Sequence, residues 1–456
     1  MGKGKTGCAE NTTMALGSAD IEALEESFHS SASLPLMEGT PFTRPEMDAY
    51  CATVLDANQM QAGETLLLDI QQSAVQDPMT VQLASMAAER GIKVVEARLD
   101  QPGRQRALAE GIEDNALFLQ LASPFSASDQ TLSENESSGA SSGYDQRFAA
   151  NSLRWCIGMW PTPQWAEAVY PELSPDQAYL QLGQDLLHAT HSLEPGGFVA
   201  HQQRMSSIRD SINSDPPQEI RMTSASPSGQ GCGTDLRMRM ADGQQFMLSG
   251  WEIEDKWMQA NIPSEEVWGT PDPESVEGVF ECSRPWMVGP EAVHNIEGRF
   301  EKGRLVEISC NDPSLTPEKL TMYNQYLQQQ MIDLPRQARA MTAEQLASPE
   351  GAQYAPYLGR DCLGELGLVS HSSSVGQTGR VFQQNIVDEN SGCHLGIGAS
   401  YGAINIACEE GQEHGGNVSG FHDDFTIGTS SMQVTAISHD GSERPLIDQG
   451  EWYDQN

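Results

Sequence analysis

Positive charge is scarce in this chain. Only six of the 456 residues are lysine (Lys3, Lys5, Lys93, Lys256, Lys302 and Lys319), and Lys+Arg total 26 against 64 Asp+Glu. The net charge is −38 at pH 7 and the sequence pI about 4.4. A protein that binds nucleic-acid phosphates carries a basic stripe; none is present, so nucleic acid is excluded as a partner. Charge on this scale governs solubility and association rather than fold. It suits a salty environment or a very soluble cytoplasmic enzyme. Long apolar runs are also missing. None approaches the ~18 residues of a membrane-spanning helix, so no membrane partner is expected. The start, MGKGKTGCAENTTMALGSAD, has two lysines but no apolar signal-peptide core. There is no CxxC pair, and the nine cysteines are an odd number scattered from Cys8 to Cys408. That pattern excludes a dense disulfide framework and favours a reduced, cytoplasmic protein. Aromatics are 7% of the chain, yet the hydrophobic fraction of 38% suffices for packed cores.

Two short matches at the start carry little. Gly4-Lys5-Thr6 looks like the end of a phosphate-binding loop, but neither the upstream Gly nor the preceding strand that such a loop needs is there. Gly2 to Thr6 fits an N-terminal acylation pattern. An unstructured start accounts for both.

The length suggests two or three domains. Residues 1–45 read as an extension, loosely ordered or helical. Residues 46–215 read as an α/β domain with a mostly parallel sheet. Glu64–Ile70 is a buried strand, Asp77-Pro78 opens a helix running to about Arg90 with Gly91 as its cap, and Ile92–Arg98 is a second strand. Residues 123–146, rich in Ser, Gly and acids, read as a mobile surface loop. Ser174-Pro175 caps a largely helical stretch that reaches about Ile212, with a break expected at Pro195-Gly196-Gly197. His188 and His191 lie there at i, i+3 and could share a metal, though a solvent- or core-facing pair is the plainer reading. From 216 to 456 the texture is that of a mixed, β-rich domain. Glu219–Thr223, Asp235–Met240, Gln245–Leu248 and Arg304–Ile308 are expected as strands, and a helical pair as an insertion at about 316–347.

Five of the ten histidines fall in the last third: His371, His394, His414, His422 and His439. His422-Asp423-Asp424 precedes Phe425-Thr-Ile-Gly428, a plausible strand. Residues two apart on a strand share a face. His422 and Asp424 would therefore point together and Asp423 away, a good start for a divalent-metal site. His394 and Tyr401 are seven apart and would share a face if their segment were helical. Glu365, in LGELGL, is a carboxylate in an otherwise apolar strand, which is costly unless paired or metal-bound. Of Glu265 and Glu266, in IPSEEVW, an extended backbone can aim only one at a given site.

Taken in order, IPSEEVW, LGELGL, DENSGCHLGIGASY and HDDFTIG resemble the aminopeptidase T / aminopeptidase S family of metalloaminopeptidases. Further blocks resemble it too: Gly233-Thr-Asp-Leu236, Val276-Glu-Gly-Val279, Phe300-Glu-Lys-Gly303, Gly450-Glu-Trp452 and Trp165-Ala-Glu-Ala-Val-Tyr-Pro171. The likeness covers about residues 60 to 453 and is strongest after 215. It implies metal ligands at Glu266, Glu365, His394, His422 and Asp424, and a catalytic tyrosine at Tyr401. Three carboxylates and two imidazoles exceed the needs of one closed tetrahedral zinc, and suit two divalent ions (zinc, cobalt or manganese) with open positions. The implied activity is release of N-terminal amino acids from peptides by metal-activated water. In it Tyr401 donates to the oxyanion and Glu365 also shuttles a proton. A homodimer is implied as well. The first two ligand blocks stand about thirty residues further apart than in the family. The insertion at 316–347 explains the gap and puts the rim of the cleft in question. The alternative is a ring-opening dioxygenase of hydroxylated pyridines, which resembles the same fold family. It would use one ferrous ion on His394, His422 and Asp424, and would leave Glu266 and Glu365 without a role.

Overall fold

The computed structural model describes residues 36–70, 78–98, 116–122, 154–194, 196–253, 255–288, 291–406 and 415–453. The N-terminal pair of sequence matches, the loop expected at 123–146 and His414 lie outside them.

The first sheet is parallel throughout, in the order Lys93–Arg98, Thr65–Ile70, Ala116–Ala122, Arg154–Met159 and Asn261–Ile262. Leu66, Leu68, Leu117, Leu119 and Cys156 are buried in it, and the helices Arg44–Ala57 and Pro78–Glu89 pack their apolar stripes on the same core. Parallel strands covered on their faces read as apolar runs, as Thr65-Leu-Leu-Leu does. Local chemistry sets the helix ends as expected. Thr43 and Glu46 form a capping box at the first helix. Pro78 opens the second helix, and Gly91 closes it with φ +76°, the left-handed turn that glycine makes without strain. Ser174 caps Pro175–Ala189, and the chain breaks at Gly196 (φ +71°) before Gly197–Ser214. The strands Ala116–Ala122 and Arg154–Met159 were not foreseen in the sequence.

Beyond Asp215 the described residues form two large antiparallel sheets and two two-stranded ones, Gly250–Ile253 with Lys256–Gln259 and Trp286–Val288 with Glu291–Val293. The larger has eight strands, in the order Arg304–Cys310, Ile296–Glu301, Glu277–Glu281, Thr234–Arg239, Glu219–Ser224, Gln433–Ile437, Glu443–Asp448 and Glu451–Trp452. The smaller has four, in the order Val267–Gly269, Leu363–Leu368, His394–Gly398 and His422–Thr426. Gln245–Leu248, expected as a strand, makes only isolated bridges. The architecture is thus mixed α/β, with one parallel sheet and a larger antiparallel one.

The segment at 316–347 is helical, though not as a simple pair. Pro317–Gln328 runs through a π-helical turn, Gln329–Asp333, into Leu334–Arg339, and a short helix Ala343–Leu346 follows. Leu327, Met331 and Ile332 are buried in the core that also holds Leu366, Leu395 and Phe425 of the four-stranded sheet. Within this core the segment packs mainly on the strand Arg304–Cys310 of the eight-stranded sheet.

Candidate metal centre

The four-stranded sheet gathers the candidate ligands by register alone. Across its strands Glu365 stands opposite Gly396, Gly367 opposite His394, Gly396 opposite Asp424, and Gly398 opposite His422. Side chains two apart share a face, so Glu365, His394, His422 and Asp424 project from one face. Leu366, Leu395 and Phe425 project into the core behind it. Asp423 points away from its neighbours, as the alternation predicts, and is held by Arg360. Glu266 joins from the residue before Val267–Gly269.

Two glycines make room for the ligands. A Cβ on Gly367 would lie 2.1 Å from His394 Nε2, and one on Gly396 would lie 2.6 Å from His422 Cε1 and 2.8 Å from Glu365 Cβ. The repeated Gly-x-Gly texture of these strands is therefore steric.

The polar atoms face one another closely. His394 Nε2 lies 3.1 Å from Glu266 Oε2 and 3.7 Å from Glu365 Oε1. His422 Nε2 lies 3.2 Å from Asp424 Oδ1 and 3.8 Å from Glu365 Oε2. Glu365 thus stands between the two imidazoles. Each ring has its other nitrogen committed: His394 Nδ1 donates to the Glu389 carbonyl at 3.2 Å, and His422 Nδ1 to the Ala399 carbonyl at 2.7 Å. A carbonyl only accepts, so Nδ1 carries the hydrogen and Nε2 of the neutral ring presents its lone pair. Those lone pairs point at carboxylates. Glu266 Oε2 and Asp424 Oδ1 are buried without a hydrogen bond, while Ser249 Oγ donates to Glu266 Oε1. Lone pairs facing anions in a buried pocket require a cation between them, either protons or metal ions. Backbone-anchored Nδ1 with a free Nε2 is the usual setting of a metal-binding histidine.

The titration shifts follow from that crowding. Burial alone would lower the pKa of His394, but Glu266 and Glu365 hold it well above its ordinary value. Burial opposes the charged form of His422 too, yet Asp424 and Glu365 raise it to about 10. Burial raises Glu365 and the neighbouring Glu266 charge adds to the rise, against a hydrogen bond from His394. With no metal, protons must neutralise the cluster.

Tyr401 is not on a helix with His394. His394–Gly398 is a strand, and Tyr401 stands just before the short helix Gly402–Asn405. The two nevertheless line one cavity of about 160 Å³, and the Tyr401 ring lies 5.1 Å from that of His422. Trp155, Ile157, Trp251, Trp268 and Ile386 form its apolar wall. No residue of 316–347 lines it. Glu389 lines the cavity as well, buried beside Asp424; burial and the Asp424 charge raise its pKa well above the usual carboxylate value. The sequence reading missed it, although DENSG displays it five residues before His394.

His188 and His191 do not meet. His188 is exposed, whereas His191 turns in at φ +52° and stacks on His201 with ring centroids 4.0 Å apart. His191, His201 and Glu265 form a second carboxylate–imidazole group. Its atoms are paired by ordinary hydrogen bonds: His191 Nε2 to Glu265 Oε1 at 3.0 Å, His201 Nε2 to the Ser264 carbonyl at 2.8 Å, and Ser374 N to Glu265 Oε1 at 3.1 Å.

The family model described as thermophilic metalloprotease (M29) matches residues 119–320 and 337–452. Aminopeptidase T of Thermus aquaticus is 28% identical over 306 residues, 65% of this chain and 65% of that protein. The match thus spans about two thirds of that relative's length. Aminopeptidase 2 of Geobacillus stearothermophilus is 23% identical over 450 residues, 89% of this chain and 97% of that protein. Among solved structures, wild-type AmpT from Thermus thermophilus superposes with a TM-score of 0.63 at 23% identity, covering 90% of this chain and 99% of that one, a likeness of fold. The matched residues cover most of the chain and include Glu266, Glu365, His394, His422 and Asp424; the chain belongs to the thermophilic metalloprotease (M29) family.

Proposed function

We propose that the protein is a metal-dependent aminopeptidase acting on peptide N-termini, with Glu266, Glu365, His394, His422 and Asp424 holding two divalent ions. The observation that carries this reading is the pair of imidazoles anchored through Nδ1 to backbone carbonyls, whose Nε2 atoms face the buried oxygens Glu266 Oε2 and Asp424 Oδ1 at 3.1 and 3.2 Å. The relatives' names, aminopeptidase T and aminopeptidase 2, support the choice of reaction. Bound divalent ions, whether zinc, cobalt or manganese, would supply Lewis acidity to the scissile carbonyl and acidify water. Glu365, buried between the imidazoles, takes a proton from the attacking water and delivers it to the leaving amine, a role its central place in the cluster supports. Tyr401 directs its hydroxyl at the oxyanion. The Trp155, Ile157 and Trp251 wall keeps bulk water out and gives the first side chain of the substrate an apolar seat.

The chain is also proposed to divide near residue 215, with 1–45 as an extension. The parallel sheet and the β-rich part each have a core, while a third cluster, including Trp165, Leu182, Val375 and Phe382, spans the divide. One crossing strand, Asn261–Ile262, joins the first sheet. A homodimer follows from the family likeness. A cytoplasmic setting agrees with the thiols, since Cys156, Cys232, Cys282, Cys310, Cys362 and Cys393 are free. No helix among the described residues is long and apolar enough to cross a membrane. The ring-opening dioxygenase gains no support from the relatives, and it leaves the central Glu365 idle. Metal analysis together with hydrolysis of leucine p-nitroanilide tests the proposal. Two ions per chain and hydrolysis that chelators abolish are expected; one iron with oxygen uptake would overturn it.

A further inference from the structure

In the part of the helical segment that the family model leaves out, residues 321–336, one polar side chain is linked through Arg360 to the strand His422–Thr426. Gln330 sits in the π-helical turn Gln329–Asp333, and such turns, which break the helical ladder, recur where a helix serves a site. Its Oε1 accepts from Arg360 Nη1 at 3.0 Å and from the Tyr357 hydroxyl at 3.1 Å. Arg360 is itself buried. Its Nε and Nη2 both donate to Asp423 Oδ2, at 3.1 and 2.9 Å, and its guanidinium lies over the Phe421 ring at 3.8 Å. Arg360 therefore grips residues 421 and 423 from the back of the strand. His422, between them, and Asp424, next along, face the cavity. The backbone is tied at the same point, where Ala399 N donates to the Phe421 carbonyl at 2.6 Å and the Ala399 carbonyl holds His422 Nδ1.

We propose that Gln330 is a positioning residue for the metal centre, acting through Arg360 and Asp423 to fix the strand that aims His422 and Asp424. The inference rests on the proposed metal role of those two residues. The physical link is satisfaction of a buried cation. Without the Gln330 oxygen, Arg360 keeps an unpaired buried donor, which is costly, and it must shift toward another acceptor. Any shift moves Asp423, and the pleat carries that movement to the neighbours on either side. Burying a long helix against the core does not need this bond, since Leu327, Met331 and Ile332 supply that packing.

Zinc titration of the metal-free full-length protein by calorimetry tests the link, with melting temperatures of the metal-free forms measured alongside. Partners one step beyond the ligands typically alter metal affinity about 10–100-fold, and Gln330, acting through Arg360 and Asp423, is two steps further out. Gln330→Leu is expected to raise the Kd of one zinc by about 5- to 10-fold. Gln330→Glu, which keeps an acceptor for Arg360, is expected to restore affinity to within about twofold of wild type. Tyr357→Phe removes the other donor to the same oxygen and is expected to bind zinc as wild type does. Wild-type affinity in Gln330→Leu overturns the proposal. So does equal weakening in Gln330→Leu and Gln330→Glu, or weakening in Tyr357→Phe as large as in Gln330→Leu, since either marks a merely structural role. If Gln330→Leu does not fold, the comparison of Gln330→Glu with Tyr357→Phe still decides, because loss of affinity in either one overturns the link. His422→Ala separates the underlying reading: zinc bound there as in wild type removes His422 from the ligands, and the inference falls with it.

Discussion

Glu265 and Glu266 are adjacent, of one residue type, and both buried, yet their surroundings differ in kind. Glu265 Oε1 accepts from Ser374 N and Ser374 Oγ and meets His191 Nε2; burial opposes its ionisation, and these partners with the His201 charge hold its pKa below the usual value. Glu266 Oε1 accepts from Ser249, while its Oε2 faces His394 Nε2 at 3.1 Å, on a ring anchored through Nδ1 to a carbonyl. The first carboxylate is met by serine as well as histidine. The second needs a cation, a proton or a metal ion, between it and the imidazole. The presence of His and Glu together therefore says little about metal; the direction of the lone pairs decides.

The contrast can be broken most decisively at the second group. Glu266→Ala or His422→Ala is expected to abolish metal content and peptidase activity while the chain still folds, as elemental analysis and circular dichroism would show. Full activity in a metal-free His422→Ala protein would end the metal assignment. Gly367→Ala is expected to do nearly as much damage without touching a ligand, because its Cβ would occupy the space of His394 Nε2. Zinc bound to Gly367→Ala at wild-type affinity would show that the strand can give way.

Tyr401→Phe sits at the edge of the comparison. The metals should remain, with kcat lowered by about 2.7–4 kcal/mol, the usual cost of one oxyanion donor, and KM little changed. A wild-type kcat removes Tyr401 from the chemistry. Glu265→Gln is the counterpart test on the first group. The metal count should stay at the wild-type value and the protein lose about 1–3 kcal/mol of stability from mismatched buried hydrogen bonds; loss of a metal ion would make the two groups alike after all.

The gentlest test uses protons. His422 titrates near 10 in the metal-free fold, above its ordinary 6.5, so the ring is charged at pH 7 and must lose its proton to bind metal. Zinc binding should release protons at pH 7, and apparent affinity should rise with pH. Calorimetry in buffers of different ionisation enthalpy measures this. The sign for folding is the opposite: the raised pKa stabilises the metal-free protein below about 6.5, and that contribution fades as pH rises through about 10.

Much of this contrast could be read from the residues. Alternation along a strand separates His422 and Asp424 from Asp423, and the sheet places all three accordingly. Which of the two adjacent glutamates turns inward is not contained in local pattern; it was taken from likeness to a family. Glu389 escaped notice because an acid in a Ser/Asn/Gly loop looks solvent-exposed until the fold closes over it. Spacing at i, i+7 suggested a helix for His394 and Tyr401, while the chain uses strand, turn and short helix to bring both to one cavity. The apolar wall was equally hidden. Trp155 lies on a strand that periodicity did not reveal and meets the ligands only through a sheet built from distant segments. The helical insertion was legible as helix, but its side of the sheet was not.

Neighbouring identical side chains have one more consequence. Were the segment leading into Val267–Gly269 to slip by one residue, a glutamate would still arrive at each station, and composition alone would register no error. The backbone marks the difference: Glu265 N donates to Asn390 Oδ1 at 2.6 Å, a bond that the peptide of Glu266 would have to usurp. The asparagine acts as an indexing pin, so the register that brings Glu266 to the cavity is marked by a bond to its neighbour.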